Sequence, residues 1–429
     1  MKKSSFMQGA IIATVAIVIT KILGILYAIP FYSLIGEQGG ALYGYAYTIY
    51  DFFLTISIVG IPLAVSKLVS EYRGLKFYRS ANESFKVMKT ALFITGIVCF
   101  FIMFLSSDLT ALWILGENGN PEMLKDLSFV IKLTSFAVIV VPVMSVTRGY
   151  LQGHTIMNVP SYSQILEQIA RISVILIGGY LSAKVFNLDL KFTVGIATFG
   201  AFVGALISYF YITLNIRKNK LMLTSEESSK EDKGIKVKEV LKKVLFYSIP
   251  FVLISILRSA YNLVDMFTLN KTLLQLGYTL EDSNAIYSII STWGAKLNSI
   301  IYSLSLGLVI SLVPNITNSF IKNAHEELKN KINQVLGIVI TIIIPLVVGM
   351  YILNEPVFYS FYGESKYGHL VYKYYLFLPL FTVLCNVSSV ILQGVKREKT
   401  VIISMLIGFL FKIIFNIPMM HLFNFLNLS

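Results

Sequence analysis

Ten ionisable side chains fall inside otherwise apolar stretches of this 429-residue chain: Lys21, Lys132, Arg171, Arg258, Lys296, Lys373 and Lys412 against Asp51, Glu167 and Asp265. An ionised group in hydrocarbon is costly, so each marks a ligand path, a relay or a structural pair. Seven bases against three acids leave an excess of four positive charges. A cavity with that balance would attract phosphate groups and repel cations. Arginine suits phosphate through its planar fork, and lysine acts as a point charge.

The ten differ in what their spacing allows. Lys132 and Lys373 lie within about two turns of the expected outer boundary, where their amines can snorkel to water. Glu167 and Arg171 are four residues apart, share a helix face and can neutralise each other, as a structural pair or as part of a gate. Arg258 and Asp265 also share a face, with Asp265 near the outer end of its helix. Lys21 and Arg258 each lie roughly 21 Å into their helices, and Lys296 roughly 15 Å in from the opposite direction, at 1.5 Å rise per residue. The three are therefore expected to converge near the middle of a cavity. Asp51, Glu167, Arg171, Asp265 and Lys412 are expected to form a charge network or gate.

Other chemistries find no foothold. Cys99 and Cys385 lie in apolar runs, and His154, His325, His369 and His421 lie in or beside loops without a pair at ligand spacing, so no metal site or disulfide is expected. No Gly-x-x-x-x-Gly-Lys-Ser/Thr motif offers a cradle for ATP. A membrane-embedded glycosyltransferase or polymerase would need clustered acids or a metal in a sizeable loop, and Glu117, Glu122 and Asp126 read as a solvated face. No cofactor is expected; energy would come from the membrane potential, an ion gradient or substrate concentration, with about 2.3 kcal/mol available per charge moved through 100 mV.

The elements that carry these charges follow from composition. Hydrophobic residues make up 55% of the chain and charged residues 14%, with a mean hydropathy of +0.72. A soluble domain carries about a quarter charged residues, so this is an all-α polytopic membrane protein. Eleven runs of about 20 residues can cross roughly 30 Å of hydrocarbon as helix: 6–32, 43–66, 90–107, 127–147, 161–183, 192–215, 244–267, 286–313, 332–353, 370–392 and 401–423. The first follows Lys2 and Lys3 but is too long for a secretory signal and lacks a small-residue cleavage site, so it reads as a retained helix.

With the N-terminus in the cytoplasm, the expected inner segments hold 24 of the 36 lysines and arginines, and the outer loops only Lys125, Lys184, Lys191, Lys271 and Lys366. That asymmetry is a positive-inside signal and puts the N-terminus on the cytoplasmic side. The net charge of +13 is then topology and contact with anionic lipids, not a nucleic-acid footprint.

The longest polar stretch divides the chain into an N-terminal lobe at 1–215, a linker at 216–243 and a C-terminal lobe at 244–429. Past the linker, Ile235, Val237, Val240, Leu241 and Val244 alternate with lysines at helical spacing, as a helix lying on the inner leaflet or as an extension of the seventh span. The lobes look duplicated. Leu151-Gln152-Gly153 precedes Arg171-Ile172 by the same interval that separates Leu392-Gln393-Gly394 from Lys412-Ile413. Ala64-Val65-Ser66 and Val309-Ile310-Ser311 close the second and eighth spans at a nearby offset. Spans one and seven run in the same sense, so the repeat is a parallel one around a central cavity, a transporter architecture. Gly149, Gly153 and Gly394 allow tight cytoplasmic turns, as ordinary loop glycines or as hinges of an inner gate.

The segment Arg148-Gly-Tyr-Leu-Gln-Gly153, continued by Pro160, Gln164, Glu167, Gln168 and Arg171, resembles the stage V sporulation protein B branch of the polysaccharide transporters. That branch lies in the multidrug/oligosaccharidyl-lipid/polysaccharide (MOP) exporter superfamily. Lys21-Ile-Leu-Gly24 with Tyr27 and Pro30, and Gly60-Ile-Pro-Leu-Ala-Val-Ser-Lys67, extend the likeness over essentially the whole chain. The resemblance implies an alternating-access flippase. Its substrate would be an undecaprenyl-pyrophosphate-linked saccharide, lipid II or a polysaccharide repeat unit, moved outward for cell-wall, spore-cortex or polysaccharide synthesis. The converging Lys21, Arg258 and Lys296 are then expected to bind the pyrophosphate; lipid II flippases likewise carry bases on their first and eighth helices, but also one on the second, where this chain has Asp51. Such proteins have fourteen spans, so eleven leave the C-terminal lobe short. The competing readings are a cation-coupled multidrug exporter of the same superfamily and an inactive truncated paralogue.

Overall fold

A computed structural model of the chain describes residues 6–58, 60–116, 120–218, 229, 231–232, 234–302, 316 and 319–425. Every regular element among them is helical. Nine helical segments there are long and apolar enough to cross a membrane, and the shorter apolar helix Ile12–Leu26 accompanies them. The expected first span corresponds to that shorter helix. The expected eighth, 286–313, lies partly outside the described residues.

The N-terminal spans begin and end elsewhere than hydropathy suggested. Helix α1 covers Phe6–Leu26 and α2 covers Ala28–Ile58, so the polar stretch read as a loop between spans one and two is helical. A single break interrupts it at Gly36, whose φ of 60° and ψ of −161° only glycine adopts without strain. Helix α3, Ile61–Gly74, starts after Gly60 at φ 75° with Pro62 in its first turn. The missing proline N–H costs nothing there.

The chain forms two compact units, residues 1–23 with 45–263 and residues 24–44 with 264–429. In the first unit, α4 (Tyr78–Leu105), the short α5 (Ser107–Leu115) and α6 (Pro121–Gly153) are followed by α7 (Asn158–Ser173) and α8 (Leu190–Lys218). Helix α7 continues to Val185 through two π-turns, Val174–Gly178 and Leu181–Val185. Along α8 the buried stripe is Val194, Ala197, Ala201, Ala205 and Ser208, all small. Small residues let membrane helices approach closely enough for dispersion to hold them. Helix α9 (Val237–Gln275) runs unbroken from Val237, so the amphipathic stretch after the linker is an extension of span seven.

The second unit contains α10 (Leu280–Ser288) with a π-turn at Ile289–Trp293, α11 (His325–Ile352), α12 (Asn354–Tyr362), α13 (Gly368–Tyr375), α14 (Phe377–Gly394) and α15 (Glu398–Phe425). Its core is aromatic: Trp293 packs on Phe31, Tyr32 and Tyr362 with ring centroids 5.8, 5.0 and 5.5 Å apart. Tyr362 and Tyr372 are buried in this core, whereas Tyr359 and Tyr374 are exposed.

Two stretches of the chain share an order of elements. Helices α4 and α11 each have 28 residues, and each is followed after one residue by a nine-residue helix, α5 or α12. Those short helices end at glycines of φ 74° and 73°, Gly116 and Gly363. The Leu-Gln-Gly segments close α6 and α14 alike. Thr155 and Lys396 both adopt φ 59°. Their amides bond the carbonyls of Gln152 and Gln393, and the next amides reach Leu151 and Leu392. This paired pattern is the Schellman closure of a helix.

Candidate functional site

Two polar clusters gather four of the ten charges singled out above, Glu167 with Arg171 and Asp265 with Lys412. The first belongs to the first unit. Asn120 caps α6 by accepting from the Glu122 amide at 3.0 Å, and the helix then carries Arg148 almost to its end. On α7, Ser163, Glu167 and Arg171 recur every four residues and so share one face. Helix α8 brings Ser208 to them because Gly200 and Gly204 lie against the α7 backbone. A Cβ on Gly204 would stand 2.7 Å from the Glu167 carbonyl.

Glu167 is the hub. Arg148 Nη2 donates to Glu167 Oε2 at 2.8 Å and Arg171 Nη2 to Oε1 at 3.1 Å, with all three side chains only 14–18% exposed. Arg148 also donates from Nε to Ser163 Oγ at 2.9 Å and from Nη2 to Ser208 Oγ at 2.8 Å. Arg171 Nη1 reaches Tyr47 OH at 3.1 Å. One carboxylate thus bridges two guanidiniums and leaves one net positive charge. The Glu167–Arg171 contact follows from their spacing. Arg148 does not, because it sits beyond the apolar run in a segment read as cytoplasmic surface. Its place in the Arg-Gly-Tyr-Leu-Gln-Gly motif was the available signal.

Asp51 joins a different partner in the same unit, accepting from Ser259 Oγ at 2.5 Å. Lys21 and Arg258 are both exposed on their helices.

In the second unit, Lys412 Nζ lies 2.7 Å from Asp265 Oδ2. Asn416, one turn on, donates to Thr268 Oγ1 at 2.7 Å. Asp265 is thus joined to the C-terminal helix, by the Lys412 ion pair and by Asn416 Nδ2 at 3.5 Å from its Oδ1. Lys412 is held within its own unit by α9. Lys296 is half-buried, with its amine 4.1 Å from the Tyr27 ring centroid and hydrogen-bonded to the Tyr27 hydroxyl. Lys132, read as snorkelling, pairs with Asp108 of α5 at 3.2 Å. Ser128 donates to that exposed carboxylate, which together with Lys132 holds it below its ordinary range.

The glycines read as cytoplasmic turns are helical. Gly149 lies inside α6, and a Cβ there would collide with the Pro62 carbonyl of α3. Gly153 ends α6 and would place a Cβ 2.8 Å from both the Ser66 carbonyl and Val69 Cβ. Both permit close packing of α6 on α3. Gly394 is the last residue of α14, where Lys396 takes the left-handed conformation. Among the described residues no group of three His, Cys, Asp or Glu side chains is arranged to hold a metal.

Among the described residues, nine helices long and apolar enough to cross a membrane, with ion pairs joining several of them, define a multi-pass membrane protein. The fold matches an inward-facing multidrug resistance MATE family transporter of the MOP superfamily, with a TM-score of 0.68 at 15% identity over 92% of this chain and 87% of that one. Residues 6–314 match the family described as Polysaccharide biosynthesis protein, and residues 287–417 match MatE. The chain is 34% identical over 426 residues to the lipid II flippase MurJ of Bacillus subtilis (strain 168), covering 98% of this chain and 78% of that protein. Stage V sporulation protein B of the same organism is 28% identical over 232 residues, covering 52% of this chain and 42% of its own length. The chain belongs to the polysaccharide biosynthesis protein family.

Proposed function

We propose that this protein is a flippase that carries an undecaprenyl-pyrophosphate-linked saccharide from the inner to the outer leaflet of a bacterial plasma membrane. The observation that carries this reading is the 34% identity, over 98% of the chain, to the lipid II flippase MurJ of Bacillus subtilis. The charge balance supports it. The Arg148–Glu167–Arg171 bridge keeps a net positive charge at membrane depth, and Lys296 lies against a neutral tyrosine. Sites of that sign favour phosphate and disfavour a cationic drug.

We assign the pyrophosphate to Lys21, Arg258 and Lys296, each as a point or forked donor that replaces water around the phosphates. Glu167 with its two arginines, and Asp265 with Lys412, act as latches within their own units whose ion pairs hold helices together as the carrier changes state. The N-terminus lies in the cytoplasm, on the strength of the 24-to-5 division of basic residues. The two lobes flanking the 216–243 linker are read as the repeats of this carrier, although the compact units exchange 24–44 and 244–263 across that division. Expression of the chain in cells depleted of their own lipid II flippase tests the proposal. Restored outer-leaflet accessibility of lipid II supports it, and none despite normal membrane insertion refutes lipid II as the cargo.

A further inference from the structure

A groove of about 470 Å³ opens on the flank of the first unit, between α4, α6 and α8. Its volume falls in the roughly 300–1,000 Å³ range of small-molecule sites. Helix α4 supplies Lys86, Lys89 and Phe93, which recur at three- and four-residue steps and so share one face. Val140 and Val143 of α6 and Leu206 of α8 form apolar walls. Beyond Phe93 the groove is closed by Gly96, where a Cβ would stand 2.8 Å from the Val138 carbonyl, so that α4 and α6 touch. From Lys86 to that closure is roughly 15 Å at 1.5 Å per residue.

The groove is polar at one end only. The Lys89 amine lies 5.4 Å from the Tyr209 ring centroid, and Lys86 is exposed at the mouth. Among the described residues neither lysine is in an ion pair. The carboxylate one turn back, Glu83, is committed to Arg79 at 2.9 Å and to the Ile235 amide at 3.0 Å. At the other end Phe93 is 47% and Leu206 40% exposed, which in a membrane is exposure to hydrocarbon. Two uncompensated ammonium groups above an apolar slot complement a phosphate headgroup with an acyl chain.

We propose that this groove binds one anionic glycerophospholipid, with its phosphate on Lys86 and Lys89 and one acyl chain along Phe93, Val140 and Leu206. The site shares no lining residue with the charge networks at Glu167 and Asp265 and holds whether or not the cargo is lipid II. Basic residues between helices at the headgroup level are the physical basis of such recognition. Lysine stems add to it by lying along apolar walls while their amines stay at the interface.

The test is native mass spectrometry of the full chain in mild detergent, titrated with palmitoyl-oleoyl-phosphatidylglycerol and, in parallel, the matching phosphatidylcholine. The wild-type chain retains phosphatidylglycerol in preference to phosphatidylcholine. The K86Q/K89Q double variant weakens phosphatidylglycerol binding about 30-fold, the worth of two interfacial lysines, and K86R/K89R preserves it. V140W fills the slot without changing charge and lowers phosphatidylglycerol retention as well, which keeps the test decisive if the lysine variant fails to fold. Equal retention of the two lipids, or unchanged retention in K86Q/K89Q, overturns the proposal. Displacement of bound phosphatidylglycerol by undecaprenyl pyrophosphate also overturns it, since the groove would then belong to the cargo path.

Discussion

Replacing Glu167 by glutamine removes the charge that two guanidiniums share while preserving side-chain volume. Charges about 4 Å apart attract by about 4 kcal/mol at an effective dielectric of about 20, and Glu167 makes two such contacts. Against that gain stand the hydrogen bonds that Ser163, Ser208 and Tyr47 continue to offer the arginines, and the one acceptor oxygen glutamine retains. Breaking a buried pair by removing one partner costs about 3–5 kcal/mol. With all three groups 14–18% exposed, the low end applies, and E167Q should lose about 3 kcal/mol. Reversible denaturant unfolding of the purified chain in mild detergent reads this directly. A companion variant sharpens it. E167Q/R148Q restores the net charge of the cluster to its original value and should be less destabilised than E167Q alone, a non-additivity characteristic of a shared network. A loss below about 1 kcal/mol in E167Q, additive with R148Q, would show that the cluster is hydrated and that the ion bridge is not what holds α6 to α7.

Three further outcomes follow from other contacts. K412M leaves the Asp265 carboxylate, about a third exposed, without its lysine and should cost about 2 kcal/mol in the same unfolding assay, with D265N/K412M recovering part of the loss. G149A forces a methyl group into the Pro62 carbonyl and should destabilise by about 1–3 kcal/mol, whereas G337A in α11, with nothing within 4 Å, should be neutral or gain up to about 1 kcal/mol. Asp232 accepts from the Arg79 and Ser80 amides at 2.9 and 3.3 Å and so caps α4, whose own leading residue Phe77 offers no side-chain bond. D232A should therefore cost about 1 kcal/mol and speed proteolysis in the 216–243 linker.

Hydropathy located the spans because long apolar runs have few other fates, but it misplaced ends where polar residues continue a helix. Residues 78–89 are too charged to enter an apolar window, yet they form the first three turns of α4. The polar residues around Glu37 read as a loop although the helix resumes after Gly36. Helices α5 and α12, at nine residues, are too short for any spanning criterion. The site was legible only where partners are close in sequence. Glu167 and Arg171 are four apart, and periodicity pairs them. Asp265 and Lys412 lie on helices 147 residues apart in the chain, and no spacing rule joins them. Gly149 reads as a turn because glycine favours turns. Its role is instead set by the Pro62 carbonyl of another helix, which only the packed structure reveals.

The most direct test of a pyrophosphate-linked cargo is translocation in a defined system. The purified chain would be reconstituted in lipid vesicles with an undecaprenyl-pyrophosphate-linked disaccharide, and exposure of the sugar on the opposite leaflet followed with time. The account predicts transfer by the wild-type chain that is abolished when Lys21 and Lys296 are both neutralised, with insertion and folding unchanged. Transfer at the wild-type rate by that double variant, or no transfer by a correctly inserted wild-type chain, would contradict it.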